Sequence, residues 1–478
     1  MAFATPELAP AMTEIVLACG ICVVLLIDLF VSDRWRDVTY LVSMVVLALS
    51  AYAAGGIGLD GQSITFSGSF IADPVARVLK LFTIAVVATV FLYSRYYLRE
   101  QQIHKGEFYL LGLFALLGIM VMISAYSLLT MYLGLEILSL SLYALIAFDR
   151  ESPVAAEAAI KYFVLGAIAS GSLLYGISLI YGMTGTLQIS EISASLSRAG
   201  PNEVVTLVGL AFILVGVGFK FGAVPFHMWL PDVYQGAPTC VTLFIGTVPK
   251  LAAFALALRV LVEALGPIAP SWEPMLMVLA VLSLGIGNVV AIAQTNIKRM
   301  LAYSTIGHVG FILLGLLTGT NHGLQAALFY TIVYVIMAAA AFGVVIALSR
   351  RGFDPDRIED FKGLNQRSPL MALIMLLVMF SMIGAPPLAG FYAKWWVLAV
   401  LINAGHVWLA LVAVVFSVIG AFYYLRVVKF MYFDDVADAV ALRAPIDLRV
   451  VLSLNGLLLL WLGLFPDALI AICARAIT

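Results

Sequence analysis

The sequence predicts an all-α polytopic membrane protein of about 14 transmembrane helices, in two inverted five-helix repeats, with helices 7 and 12 broken. Three observations carry that reading. The 478 residues are 63% hydrophobic and 11% charged, whereas an ordinary soluble domain is about 25% charged. The apolar residues fall into long runs separated by short polar or Gly/Pro-rich turns. Two of those runs are too long for one straight crossing, contain prolines and share a short motif.

Taken in order, the expected spans are 11–30, 38–58, 73–94, 107–123, 126–148, 160–183, 203–231, 240–264, 273–294, 299–318, 322–349, 369–402, 405–431 and 448–473. The longest polar connection runs only from Arg350 to Ser368. That leaves no extramembrane domain for a nucleotide or a large redox centre, and nothing in the chain suggests a nucleic-acid surface. The net charge of −1 says little, but the placement of charge says more. With the N-terminus outside, eighteen of the 26 Lys and Arg residues, from Arg34 to Arg449, fall in one alternating set of connections, and only Arg198 and Arg475 in the other. The excess of positive charge orients the first set towards the cytoplasm and puts both termini outside. The first basic residue is Arg34, so the basic n-region of a cleavable signal is missing and the first apolar run is expected to be a retained helix.

Span one contains Cys19-Gly-Ile-Cys22, the spacing of a thioredoxin-like pair or half a zinc site. It has no second pair and no strand beside it, and thiols in apolar surroundings are poorly reactive. Small packing residues are expected there, with no metal site.

Spans seven and twelve are the long ones. Pro225 and Pro231 interrupt the seventh, Pro386 and Pro387 the twelfth, each removing a backbone donor and crowding the preceding turn. Gly222-Ala-Val-Pro225 matches Gly384-Ala-Pro-Pro387, and aromatics follow both. Five spans separate the two, so the helices enter from opposite sides, as in inverted-repeat transporters.

Charge sits beside these breaks. Lys220 is twelve residues from Asp232 and further from Glu203, which places its ammonium near mid-depth. A central lysine costs about 2.5–3.5 kcal/mol and is kept where it has a partner, a wet cavity and a task. Glu136, Lys250 (directly after Pro249) and Lys394 lie at similar depths. A buried carboxyl and a buried lysine brought together each favour the other's charged form. If Glu136 meets Lys220, their separation sets the lysine's proton affinity; the alternative is a static ion pair between two helices. His227 lies two turns beyond Lys220 on roughly the same face if the helix continues, and His308 is in span ten. Either is a candidate proton relay or a hydrogen-bonded core residue. Lys161, at i+4 from Glu157, suits a proton entry gate or an interfacial helix pair. Lys80 reads as a packing or snorkelling residue, and His104, His322 and His406 as peripheral.

With these residues assembled, the chain resembles the antiporter-like membrane subunit family of NADH-quinone oxidoreductase (respiratory complex I), which comprises its subunits N, L and M and extends to the Mrp cation/proton antiporters. The carriers are Gly134-x-Glu136, the run from Lys220 to Thr239, Lys250, the run from Gln294 to Thr305 with His308, and the segment around Lys394. The resemblance covers essentially the whole chain. It implies repeats of helices four to eight and nine to thirteen, hence a division into 1–123 (helices 1–4, with helix 4 at about 107–123 opening the first repeat), 107–264, 273–431 and 448–478. It further implies Glu136 and Lys220 as a switching pair, Lys250 as central relay and Lys394 as relay in the second half. The M branch carries a glutamate where this chain has Lys394, and the L branch a long lateral helix beyond span fourteen, so the N branch of a bacterial inner-membrane enzyme is expected, with periplasmic termini. The implied function is proton translocation in the membrane arm of NADH:quinone oxidoreductase. No cofactor is expected in this chain; FMN, iron–sulfur clusters and quinone are expected in partner subunits. The implied partners are neighbouring small membrane subunits, antiporter-like subunit M and the lipid bilayer. The alternatives are an Mrp-type cation/proton antiporter subunit and a non-conducting structural or quinone-binding subunit.

Overall fold

The first six crossings are α1 (Met12–Phe30), α2 (Asp37–Gly55), α3 (Pro74–Glu100), α4 (Glu107–Ser124), α5 (Leu128–Ile146) and α6 (Pro153–Thr184). The computed structural model describes residues 6–56, 61–199, 204–435 and 444–477. Glu203, Arg443 and the ends expected for spans two and seven at 58 and 203 lie outside the described residues. After a short helix, α7 (Ile189–Ala199), the seventh crossing is divided into α8 (Val204–Phe221) and α9 (Trp229–Gly236). Next come α10 (Thr239–Ala257), which continues as a π-helix over Leu258–Ala264, α11 (Ala269–Ile292), α12 (Ile297–Leu317) and α13 (Asn321–Leu348). The short α14 (Leu364–Arg367) precedes the divided twelfth crossing, α15 (Pro369–Ile383) and α16 (Ala389–Asn403), and α17 (Val407–Phe433), α18 (Ile446–Leu464) and α19 (Asp467–Ala476) complete the chain.

Among the described residues, 13 helices are long and apolar enough to cross a membrane. The fourteenth crossing, span twelve, falls short only because its two pieces are 15 residues each. Boundaries follow local chemistry. Asp73 accepts from the Ala76 amide at 2.8 Å to start α3, and Pro74 follows it. Ser152 and Pro153 start α6 seven residues before the expected position, because a capping hydroxyl followed by a proline suits a first helical turn. The Asn296 and Thr320 side chains cap α12 and α13 by accepting from the Arg299 and Gly323 amides.

Two features depart from expectation. The last span does not run to 473: α18 stops at Leu464, and Pro466 separates it from α19, since a proline cannot extend the helix hydrogen bonding. A small hairpin, β1 (Ser63–Thr65) and β2 (Phe70–Ala72), follows α2. It joins the face of the molecule where α5 begins, through a Phe70–Ala125 bridge and a Gln188 side-chain bond to the Ser67 carbonyl at 3.0 Å.

Burial sorts the helices. The whole of α10 is buried, and nearly all of α12 and α13. By contrast α1, α6, α17 and α18 turn most of their apolar side chains outward, as expected where lipid rather than protein is the neighbour. The cysteine pair follows this pattern: Cys19 and Cys22 are free and exposed on the outer side of α1, so they are not interior packing residues.

The two halves share a tight crossing. A Cβ on Gly118 of α4 would meet the Leu138 amide nitrogen of α5 at 2.5 Å, and one on Gly287 of α11 would meet the Gly307 nitrogen of α12 at 2.5 Å. Small residues let helix backbones approach this closely. Gly118→Ala and Gly287→Ala are therefore each expected to destabilise by about 1–3 kcal/mol through overpacking against backbone. Gly171→Ala, with nothing within 4 Å, should leave stability unchanged. Thermal unfolding midpoints of the purified protein in detergent would check all three.

Candidate functional site

The two broken crossings end their first halves alike. The α8 helix stops at Phe221, followed by Gly222 at φ +75°, and α15 stops at Ile383, followed by Gly384 at φ +87°. Both glycines occupy the left-handed region that closes a helix C-terminus without Cβ strain. A cis X–Pro peptide lies in each break, Val224–Pro225 and Pro386–Pro387. The carbonyls freed at such ends carry the negative pole of the helix and have no water to turn to. A lysine answers each: Lys250 Nζ donates to the Phe221 carbonyl at 2.9 Å, and Lys394 Nζ to the Ile383 carbonyl at 2.8 Å. The two ammonium groups thus occupy equivalent chemical positions, although one comes from α10 and the other from the second piece of its own broken crossing.

In the first half, Lys220 Nζ donates to Ser139 Oγ at 2.7 Å, and Ser170 donates to the Glu136 carboxylate. Glu136 and Lys220 do not touch. Ser139, one turn past Glu136 on α5, stands between, and a cavity of about 10 Å³ beside Ser139, Ser170 and Lys220 has room for about one water. Lys220 is buried and Glu136 half-buried. The expected acid–base pair is therefore indirect. Its spacers are serines, which bury easily and both donate and accept.

The second half is built from hydroxyls. His308 lies between Tyr330 at 2.8 Å and Tyr424 at 3.1 Å. Ser304 meets Tyr424 at 2.5 Å, and Thr305 meets Tyr334 at 2.7 Å. Tyr334 in turn donates to the Gly246 carbonyl at 3.4 Å, one turn before Lys250 on α10. Lys394 donates to Ser417 at 2.6 Å and shares a second cavity of about 10 Å³ with Ser304, His308 and Tyr424. A row of polar side chains on α12, α13 and α17 therefore lies between the Lys250 helix and Lys394, with the His308 and Tyr334 rings 5.2 Å apart.

Other expectations meet mixed outcomes. His227 is buried, but it sits inside the break, because α8 ends six residues earlier; it does not share a continued helical face with Lys220. Lys161 pairs with Glu157 at 2.8 Å and also with Asp232 at 3.0 Å, and Asp232 binds Arg299 at 2.7 Å. That ties α6 to α9 and α12 in an exposed cluster. His322 is exposed, while His104 reaches the Tyr109 hydroxyl at 3.3 Å. Lys80 does not snorkel: it is fully buried and paired with Glu14 of α1 at 2.6 Å. Arg259 is likewise buried, between Asp73 at 2.7 Å and Glu263 at 2.6 Å. Glu14, an acid inside an apolar run, is the sequence signal for the Lys80 pair. The spacing of Ser304, Thr305 and His308, with Tyr330 and Tyr334 at i, i+4, is the corresponding signal for the hydroxyls around His308. No group of three or more His, Cys, Asp or Glu side chains suited to a metal occurs among the described residues.

Residues 125–420 match the family described as "NADH:quinone oxidoreductase/Mrp antiporter, TM". The chain belongs to this family. Relatives within it include the NADH-quinone oxidoreductase subunit N of Thioalkalivibrio sulfidiphilus, 56% identical with all of both chains covered, and that of Herminiimonas arsenicoxydans, 54% identical over 98% of each. A chain of respiratory complex I from Thermus thermophilus superposes with a TM-score of 0.82 at 34% identity, covering 96% of this chain and 98% of its own. A chain of the Mrp complex from Dietzia sp. shares the fold, with a TM-score of 0.86 at 22% identity over 98% of this chain and 97% of its own.

The Glu14–Lys80 pair gives a stability prediction. Removing one partner of a buried ion pair costs about 3–5 kcal/mol, whereas replacing both by apolar groups is often neutral. Lys80→Met should thus sharply lower the thermal midpoint or the yield of folded protein, and Glu14→Leu combined with Lys80→Met should recover most of it.

Proposed function

We propose that this chain is a proton-translocating membrane-arm subunit, of the N branch, in a bacterial NADH-quinone oxidoreductase. The carrying observation is the lysine row: two ammonium groups set on the last carbonyls of two broken helices, with hydroxyl side chains lying between the Lys250 helix and Lys394. Lys220, Lys250 and Lys394 are the proton stations and Glu136 the switch. His308 and the Ser/Thr/Tyr hydroxyls relay, while His227 and Lys161 are secondary.

In this reading a change in charge near Glu136 alters the field at Lys220 across the Ser139/Ser170 gap. Lys220 then gives up a proton towards Lys250, whose Phe221 contact adjoins it. The proton taken by Lys250 displaces one along the hydroxyls to Lys394, and each lysine returns to its starting state by taking up the next. The driving charge originates in quinone reduction in partner subunits, which hold FMN, iron–sulfur clusters and quinone; the conducting groups here are side chains alone. The repeats are 107–264 and 273–431, flanked by 1–123 (whose helix 4 opens the first repeat) and 448–478. Both termini face the periplasm and the basic loops the cytoplasm. Neighbouring small membrane subunits and antiporter-like subunit M flank the chain in the bilayer. The Mrp-type alternative gains support from the shared fold alone; sodium-dependent proton flux would favour it.

Lys220→Ala is expected to assemble and to lower NADH-driven proton pumping by about tenfold, about 1.4 kcal/mol on the limiting barrier. Ser139→Ala, which removes only the bridging hydroxyl, should give a smaller defect. Protons pumped per electron in vesicles containing the assembled complex is the measurement, and a normal ratio in Lys220→Ala would refute the assignment.

A further inference from the structure

Lys298 lies at the start of α12, in the Gln294–Thr305 run, and the lysine row makes no use of it. It is buried, donates to the Ala237 carbonyl at 3.3 Å and has Asp354 at 3.8 Å. Asp354 belongs to the connection after α13 and its side chain is 25% exposed, against 6% for Lys298. Three hydroxyls converge on this carboxylate: Tyr97 of α3 at 2.8 Å, Thr239 of α10 at 2.7 Å and Ser349 at 2.9 Å. A surface-reaching acid is thus fixed against a buried cation where α3, α10, α12 and α13 meet, on the face that carries the basic loops.

Tyr234 belongs to α9, three residues before the Ala237 carbonyl that Lys298 grips, and both its ring and its Oη are buried. That Oη lies in range of the Thr305 and Tyr334 hydroxyls, the first members of the row leading to Lys250 and Lys394.

We propose that Asp354, with Lys298 behind it and Tyr234 inside, is the port through which protons enter the hydroxyl row; this rests on the proton-transfer reading above. Asp354 Oδ takes a proton from bulk water and becomes neutral. Lys298 then lacks its counter-charge and passes an ammonium proton inward towards the Tyr234 hydroxyl. The Asp354 carboxyl reprotonates the Lys298 amine and returns to carboxylate. One proton leaves the water and one reaches the row, with no net change at either side chain. The other titratable groups around the carboxylate are Tyr97, Cys240 and Asp356.

The test uses inverted membrane vesicles carrying the assembled complex, so that the cytoplasmic face is outermost. Asp354→Asn keeps shape and a hydrogen-bond acceptor but holds no exchangeable acid. It should lower uncoupler-released NADH oxidation several-fold, enlarge the solvent deuterium isotope effect and recover with millimolar imidazole added outside. Asp354→Glu should restore turnover without imidazole. Wild-type turnover and isotope effect in Asp354→Asn would overturn the proposal. So would equal loss in the Asn and Glu variants without imidazole rescue, which would make Asp354 a structural staple. If Asp354→Asn fails to assemble, Tyr234→Phe, which removes only the hydroxyl beside Thr305 and Tyr334, decides: impaired turnover supports the port, and wild-type turnover overturns it. Lys220→Ala run in parallel separates the two levels. If Lys220→Ala is impaired while the port variants are normal, only the port fails; if all are normal, the proton-transfer reading fails with it.

Discussion

Everything distinctive in this chain depends on how two interrupted helices satisfy their last carbonyls away from water. Exposed backbone polar groups are intolerable in hydrocarbon, so broken helices persist only where protein or trapped water takes over. Here Lys250 and Lys394 supply the missing donors at Phe221 and Ile383. The same contacts set each ammonium group against the partial negative charge of a helix C-terminus. Structure and chemistry therefore share one bond. The group that stabilises the break is also the one to which the proposed function assigns a proton.

The surroundings are arranged around that bond. The central helices α10, α12 and α13 are buried almost throughout and keep lipid away from the row. Close glycine crossings, α4 on α5 and α11 on α12, pack the scaffold of each half without bulky side chains between backbones. Charge is used sparingly inside and hydroxyls freely. A Ser, Thr or Tyr hydroxyl both donates and accepts at a modest burial cost, whereas each additional buried ion would need its own partner. Where ions do occur off the row, as Glu14 with Lys80 and Asp73 with Arg259, they are paired.

Much of the fold was legible because the membrane imposes a coarse grammar. Apolar run length and prolines inside over-long runs follow from hydrocarbon thickness and backbone satisfaction. Lys220, Lys250, Lys394 and Glu136 stood out because an ion in an apolar run is rare. The hydroxyl network did not, because serine, threonine and tyrosine are common in transmembrane helices and only proximity gives them a role. Lys80 is packed inside and does not snorkel, and its ion pair is invisible in the sequence because the partner, Glu14, lies on another helix 66 residues earlier. His227 was misplaced because helical spacing loses its meaning once the helix stops at Phe221.

The sequence by itself determined the class, the count of crossings, the positions of the breaks and the ions that lie beside them. Those are properties of single segments, decided by transfer energy and by prolines that forbid regular helix. Tertiary structure alone decided which carbonyl each lysine serves, that two serines separate Glu136 from Lys220, and that tyrosines from α13 and α17 join His308 to the row. Hydrogen bonds act over about 3 Å, and helices far apart in the chain come that close only through packing that no single segment encodes.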